Sequence, residues 1–232
     1  MLGALKEEVC AANVDLPKRG LVTHTWGNVS ARSHDDNLVA IKPSGVPYES
    51  LRPDDIVVLD LNGAVVEGTL NPSSDTPTHL FLYQAFQRAG GITHTHSAAA
   101  TAFAQARREI RCYGTTHADC FAGPVPVTRP LTDAEIGSGY ERNTGLVIAE
   151  CFEHRDPVST PAALVAGHAP FCWAASALAS VDVAESLEAV ARMAIDTRLI
   201  APDAPELEPS IRRKHFERKH GASATYGQRE HA

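Results

Sequence analysis

Gly91-Ile92-Thr93-His94-Thr95-His96-Ser97 sets two histidines two positions apart among β-branched neighbours. β-branched residues favour extended backbone, and side chains along a strand alternate faces, so His94 and His96 point the same way. Two neutral imidazoles on one face can share a divalent cation. Taken alone, the pair is equally well a polar strand end with its nitrogens bonded to backbone, and the surrounding residues have to decide.

Working outward, residues 76–88 carry Leu80, Leu82, Tyr83 and Phe86 on a helical pattern, with Pro77 in the first turn and Asp75 at or near the N-cap. Residues 98–108 read as a second helix. The hydrophobic spacing of Leu2, Leu5, Val9 and Ala12 predicts an opening amphipathic helix that ends before Pro17. Residues 21–30 and 38–42 read as strands. Residues 56–61 and 64–67 flank Asn62-Gly63, which predicts a hairpin closed by a tight primed turn and therefore an antiparallel sheet. Val125-Pro-Val-Thr128 reads as an edge segment, Thr132-Asp-Ala-Glu135 as a capping box, and residues 162–171 as an apolar strand. Helices are expected over 183–200 and 210–220, separated by the proline-bearing stretch 202–209. The class is mixed α/β.

The 232 residues are enough to bury one full core, and nothing in them suggests a division, so 1–232 reads as a single domain. A net charge of -7 argues against a general nucleic-acid binder. The basic cluster Arg212, Arg213, Lys214, Arg218 and Lys219 is expected to be a solvated helix face. Five cysteines, an odd number without metal-binding spacing, read as free thiols in a reducing compartment. Glu7 and Glu8 stand where an export signal would be apolar, so the expected location is the cytoplasm. Residues 162–181 carry no formal charge, but Pro170 would break a spanning helix, so no membrane segment is expected.

His168, in Ala166-Gly-His-Ala-Pro170, lies in apolar surroundings where an unpartnered imidazole is costly, and it is the best third ligand. Lys42-Pro-Ser-Gly45 and Asn71-Pro-Ser-Ser-Asp75 are small-residue corners of the kind that cradle phosphate, and Gly27-Asn28 would add further donors. Each alone is as readily a turn.

Thr25-Trp-Gly-Asn-Val-Ser30, Ile41-Lys-Pro-Ser-Gly45, Pro72-Ser-Ser-Asp-Thr-Pro-Thr-His79, Thr93-His-Thr-His-Ser97, Gly114-Thr-Thr-His-Ala-Asp119 and the tail from His220-Gly221 to Tyr226-Gly-Gln228 stand in one order. That order resembles the L-ribulose-5-phosphate 4-epimerases of the class II aldolase and adducin-head superfamily, nearly end to end. The resemblance implies a three-layer α/β/α fold with a largely antiparallel central sheet. It implies zinc, or another divalent ion such as manganese or cobalt, held by His94, His96 and His168 with Asp75 as a ligand or near neighbour. Gly27, Asn28, Lys42, Ser44, Gly45, Ser73 and Ser74 match phosphate contacts, and Asp119 and Tyr226 match an acid/base pair. His215 and Arg218 match positions near the phosphate in a C-terminal region, 202–232, that reaches a neighbouring subunit of a homotetramer. The implied reaction converts L-ribulose 5-phosphate to D-xylulose 5-phosphate by breaking and remaking a carbon-carbon bond. An aldolase of the same superfamily, acting on a substrate such as fuculose phosphate, and a non-catalytic module like the adducin head are the alternatives. Ala169 and Ala174, where these epimerases usually carry glycine, and His24, ahead of Trp26, depart from the pattern.

Overall fold

The computed structural model describes residues 2–33, 35–221 and 224–225. In chain order these form α1 (Leu2–Lys18), β1 (Gly27–Ser33), β2 (Leu38–Ile41), β3 (Val57–Asp60), β4 (Val65–Glu67), α2 (Thr76–Ala85), β5 (Gly91–Thr95), α3 (Ala98–Ala106), α4 (Thr115–Ala118), α5 (Asp133–Glu150), β6 (Ala162–Leu164), β7 (Pro170–Ala174), α6 (Ala177–Ile200) and α7 (Pro209–His220). The strands make one sheet in the order β4-β3-β2-β1-β5-β7-β6, and every neighbouring pair is antiparallel.

Period-two alternation sends the side chains of the inner strands to opposite faces of the sheet, while β4 stays exposed. Val29 and Ala31 of β1, Ala40 of β2, Val58 of β3 and Cys172 of β7 join the core beneath α1, α3 and α6. Val39, Ile92, Phe171 and Trp173 face the other way, against Leu80, Leu82 and Tyr83 of α2 and Ile148 of α5. Helices therefore cover both faces, giving three layers. Each fully buried Val, Leu, Ile or Phe contributes about 1.5–3 kcal/mol, so burial on both faces stabilises the sheet between its helical layers. His94 shares the face of Ile92, whereas Thr93 turns to the opposite side and meets Ser180 of α6 at 2.6 Å.

Several boundaries depart from the sequence reading. The strand expected over 21–30 begins only at Gly27, because Thr23 and Thr25 carbonyls accept from the amides of Trp26 and Gly27 in successive turns. The single strand expected over 162–171 is two strands, β6 and β7. Gly167, at φ 76, lets Val165 O accept from His168 N across a tight turn, and His168 sits on that turn rather than in a strand. In the β3–β4 hairpin only Gly63 takes a positive φ, of 91°, and the Asp60 carboxylate accepts from Asn62 N and Ala64 N, both at 2.9 Å. The loop is thus a three-residue one ending in glycine, not the two-residue primed turn. α1 runs one residue past Pro17, which gives up the amide bond to the Asn13 carbonyl in the last turn. The capping box is present, with Thr132 Oγ1 accepting from Glu135 N and Glu135 accepting from Thr132 N, but α5 is kinked at Gly139 (φ 146). Val127 bridges Leu164 in parallel, as an edge segment should. Among the described residues no helix is long and apolar enough to cross a membrane, and all five cysteines are free.

Candidate metal centre

β5 lies between β1 and β7, with His94 opposite Asn28 on one side and Phe171 on the other. His96 follows one strand period later, and the β6–β7 turn carries His168 over the same end of the sheet. The ligand nitrogens of His94, His96 and His168 all lie within 4.8 Å of one another. Gly27, at φ 141, makes this approach possible, since a Cβ there would lie 2.8 Å from both the His94 carbonyl and Val22 Cγ1.

His94 Nδ1 stands 2.9 Å from the Pro170 carbonyl. A carbonyl can only accept, so Nδ1 carries the proton and Nε2 is left with a free lone pair. The ring stacks on Phe171 at 4.1 Å, which fixes its plane. Burial, then the neighbouring His94, push His96 below the ordinary imidazole value; burial, His94 and His96 push His168 down to about 4. His96 and His168 are thereby favoured as neutral rings, the form in which imidazole binds a metal. With one tautomer locked and a carboxylate alongside, the trio fits a divalent transition-metal ion.

That carboxylate is Asp75. It occupies the N-cap position of α2 but with helical backbone and no side-chain cap bond. Its Oδ2 instead accepts from Asn28 Nδ2 at 2.7 Å. Burial alone would raise its pKa, but the imidazoles of His94 and His79 and the Asn28 amide outweigh it and leave the carboxyl below its usual range. Asp75 stands outside the three-nitrogen cluster, as a neighbour.

The two small-residue corners are laced together. Ser44 N donates to Asn71 O at 2.9 Å, Ser73 N donates to Lys42 O at 3.1 Å, and Pro43 bridges Pro72. Lys42, only 2% exposed, donates to its own neighbour's carbonyl, Pro43 O, at 3.3 Å and lies 5.0 Å from the Tyr48 ring. Burial lowers its pKa to about 8. No carboxylate pairs with it among the described residues, so a buried cation is left for an anion to neutralise. One cavity of about 510 Å³ joins this cradle to the metal trio. Gly27, Asn28, Lys42, Ser44, Gly45, Ser73, Ser74, Asp75, His94, His96 and His168, all singled out in the sequence, line it.

Asp119, His215 and Arg218 lie elsewhere. Arg218 Nη2 donates to both Asp119 oxygens at 2.9 and 3.0 Å, and His215 Nδ1 lies 3.0 Å from Oδ1. Lys219 Nζ is 3.7 Å from Oδ2. These contacts tie α7 to the end of α4, so part of the basic cluster expected to be merely solvated is engaged. Against burial, Arg218 and His215 hold the Asp119 carboxyl below its usual range. None of the three lines the cavity. Tyr226 lies outside the described residues.

The sequence reading missed a buried chain behind the centre. Ser30 Oγ lies 2.7 Å from His79 Nδ1 and 2.8 Å from the Tyr83 hydroxyl. His79 falls four residues after Asp75, on the same helix face, and that spacing was the available signal. Tyr140, beside the α5 kink with its ring 6.3 Å from His168, was also missed, and nothing in its local sequence marks it.

Residues 7–195 match the class II aldolase and adducin N-terminal domain. The chain belongs to that family. Within the family it is 51% identical over 225 residues to the L-ribulose-5-phosphate 4-epimerase UlaF of Salmonella paratyphi A, covering 97% of this chain and 99% of that one. The same name, identity and coverage hold for a Salmonella typhi protein. Among solved structures it superposes on an L-fuculose 1-phosphate aldolase with a TM-score of 0.81 at 26% identity, covering 93% of this chain and 95% of the other. A putative aldolase/epimerase/decarboxylase, YgbL of Klebsiella pneumoniae, shares the family fold at a TM-score of 0.74 and 24% identity, covering 92% and 98%.

Proposed function

We propose that this chain is a metal-dependent 4-epimerase that interconverts L-ribulose 5-phosphate and D-xylulose 5-phosphate. The observation that carries the reading is one cavity in which three convergent imidazoles face a buried lysine that pairs with no carboxylate among the described residues. The similarity to proteins named L-ribulose-5-phosphate 4-epimerase supports it across nearly the whole chain.

The C4 hydrogen of a pentulose phosphate is not adjacent to the C2 carbonyl, so no base can remove it directly. Cleavage between C3 and C4 avoids this. The C4 hydroxyl gives up its proton, its oxygen becomes the aldehyde of glycolaldehyde phosphate, and the C3–C4 electron pair stays with the three-carbon fragment. A divalent ion such as zinc, manganese or cobalt, held by His94, His96 and His168, supplies the Lewis acidity that such an electron pair requires. Lys42, the amides of the Ser44-Gly45 and Ser73-Ser74 corners and their hydroxyls grip the phosphate. The two-carbon piece thus stays tethered while its aldehyde turns its other face for re-addition. Asn28 has both amide hydrogens directed at Asp75 and Ser73, so its side chain acts chiefly by holding Asp75.

Asp119 and Tyr226 serve as the acid/base pair, one removing and one returning the proton on the C4 oxygen. Asp119 does not line its own chain's cavity and is bonded to α7 instead, which supports a site completed by the 202–232 region of a neighbouring subunit in a homotetramer. The free cysteines support a cytoplasmic setting. Incubation of the zinc-loaded enzyme with L-ribulose 5-phosphate should yield D-xylulose 5-phosphate without free glycolaldehyde phosphate. Accumulation of the aldehyde with dihydroxyacetone would instead make it an aldolase, the reading to which its likeness to the fuculose phosphate enzyme lends weight.

A further inference from the structure

Beyond the C-terminal end of α3 lies a second cavity, of about 570 Å³, that shares no lining residue with the metal site. Five arginines and one glutamate line it. Arg107 and Arg108 come from the end of α3, Arg155 from the stretch after α5, and Arg198 from the last turn of α6. The fifth, Arg111, has acidic neighbours, Glu109 at 3.9 Å and Glu206 at 3.6 Å. The other four make no ion pair among the described residues, and Arg155 donates only to the Pro124 carbonyl at 3.5 Å.

A cation at a helix C-terminus complements the helix dipole, which accounts for Arg107 or Arg198 singly. It does not account for guanidinium groups from three separate segments converging on one hollow, in a chain whose net charge is -7. All five arginines are solvent-exposed, so water and salt screen part of their mutual repulsion and an anion among them would relieve the rest. Arg107 adds a second sign. It ends α3 in the left-handed conformation, at φ 55, where glycine is the usual occupant, so a bulky cation is kept at a position that disfavours any side chain. Phe103, Tyr113 and Val127 supply apolar wall, which suits a ligand with a carbon body rather than a bare ion.

We propose that this cavity binds a small metabolite carrying two phosphate groups, each met by the planar, multiply donating forks of these arginines. The site is separate from the epimerase cavity, and binding there can be read without any turnover.

Fructose 1,6-bisphosphate is a suitable probe, titrated calorimetrically into the zinc-loaded full-length protein and two variants. Wild type and Lys42→Met should bind it alike. Arg155→Ala/Arg198→Ala should bind at least about tenfold more weakly while keeping wild-type epimerase turnover in its absence. Should that pair disturb folding, Arg198→Gln at the exposed end of α6 repeats the comparison. Binding that vanishes in Lys42→Met and survives in the arginine variant would place the ligand in the metal-site cavity and overturn the proposal. No binding by wild type at millimolar ligand, or equal binding by all three proteins, would overturn it as well.

Discussion

Lys42 ties the chemistry of the cradle to pH. Burial holds its pKa at about 8, so the ammonium is a cost to the empty fold at neutral pH. That cost recedes as pH rises from about 8 towards the ordinary lysine value, where the unfolded chain still binds the proton and the folded one does not. Binding has the opposite sign, because a dianion favours the charged lysine. Competitive inhibition by inorganic phosphate should therefore weaken as pH rises through about 8, and Lys42→Met should lose both this dependence and much of the affinity. His79 works through stability instead. It is fully buried, and burial, only partly offset by Asp75, lowers its pKa to about 3. As pH falls below about 6.5 the unfolded chain takes a proton that the folded one refuses, so stability drops by up to about 1.4 kcal/mol per pH unit. Urea unfolding between pH 7 and 4 should show a shallower slope in His79→Gln. Sequence alone made His94 and His96 legible, because strand alternation depends on nothing beyond the strand. The proton on His94 Nδ1 was not legible, because its partner, the Pro170 carbonyl, lies 76 residues away.

The helix that follows His96 begins on a borrowed cap. Glu188 of α6 accepts from Ala99 N at 2.7 Å and Ala100 N at 2.9 Å, where Ser97, the N-cap residue, makes no cap bond of its own. Glu8 of α1 does the same for Ala177 N at the start of α6. Removing such a cap costs about 1–2 kcal/mol, so Glu188→Ala should lower the unfolding free energy obtained from urea titration by that amount, and zinc content after gel filtration should stay near wild type. Elements with a self-contained signal were readable, such as the Thr132–Glu135 capping box and the existence, though not the turn type, of the hairpin at Asn62-Gly63. The break between β6 and β7 was not. Apart from His168, residues 162–171 are apolar, and the turn at Gly167 that carries His168 over β5 splits the run into two strands.

The proposed function completes the catalytic set between chains, since Asp119, bonded to Arg218 of α7, does not line the cavity of its own chain. His96→Asn should bind less metal and Asp119→Asn should keep its metal, each with little activity. Mixing the two after reversible dissociation should restore activity through sites that take the trio from one chain and Asp119 from the other. If activity does not return on mixing, the shared site is wrong. The family and both halves of the cavity were written in short motifs, each local enough to read. What composition and spacing could not convey was which motifs share one cavity, because that depends on the order in which seven strands are laid side by side.

That order also governs how an ion would be surrendered. β5 is hydrogen-bonded along both edges, by β1 and β7, and packs against α6 through Thr93 and α2 through Ile92, so His94 is held by the better-supported part of the site. His168 hangs from a glycine turn at the margin. A chelator would therefore meet an unequal grip, with the turn ligand unhooking first and the strand ligand letting go only when the sheet itself comes apart.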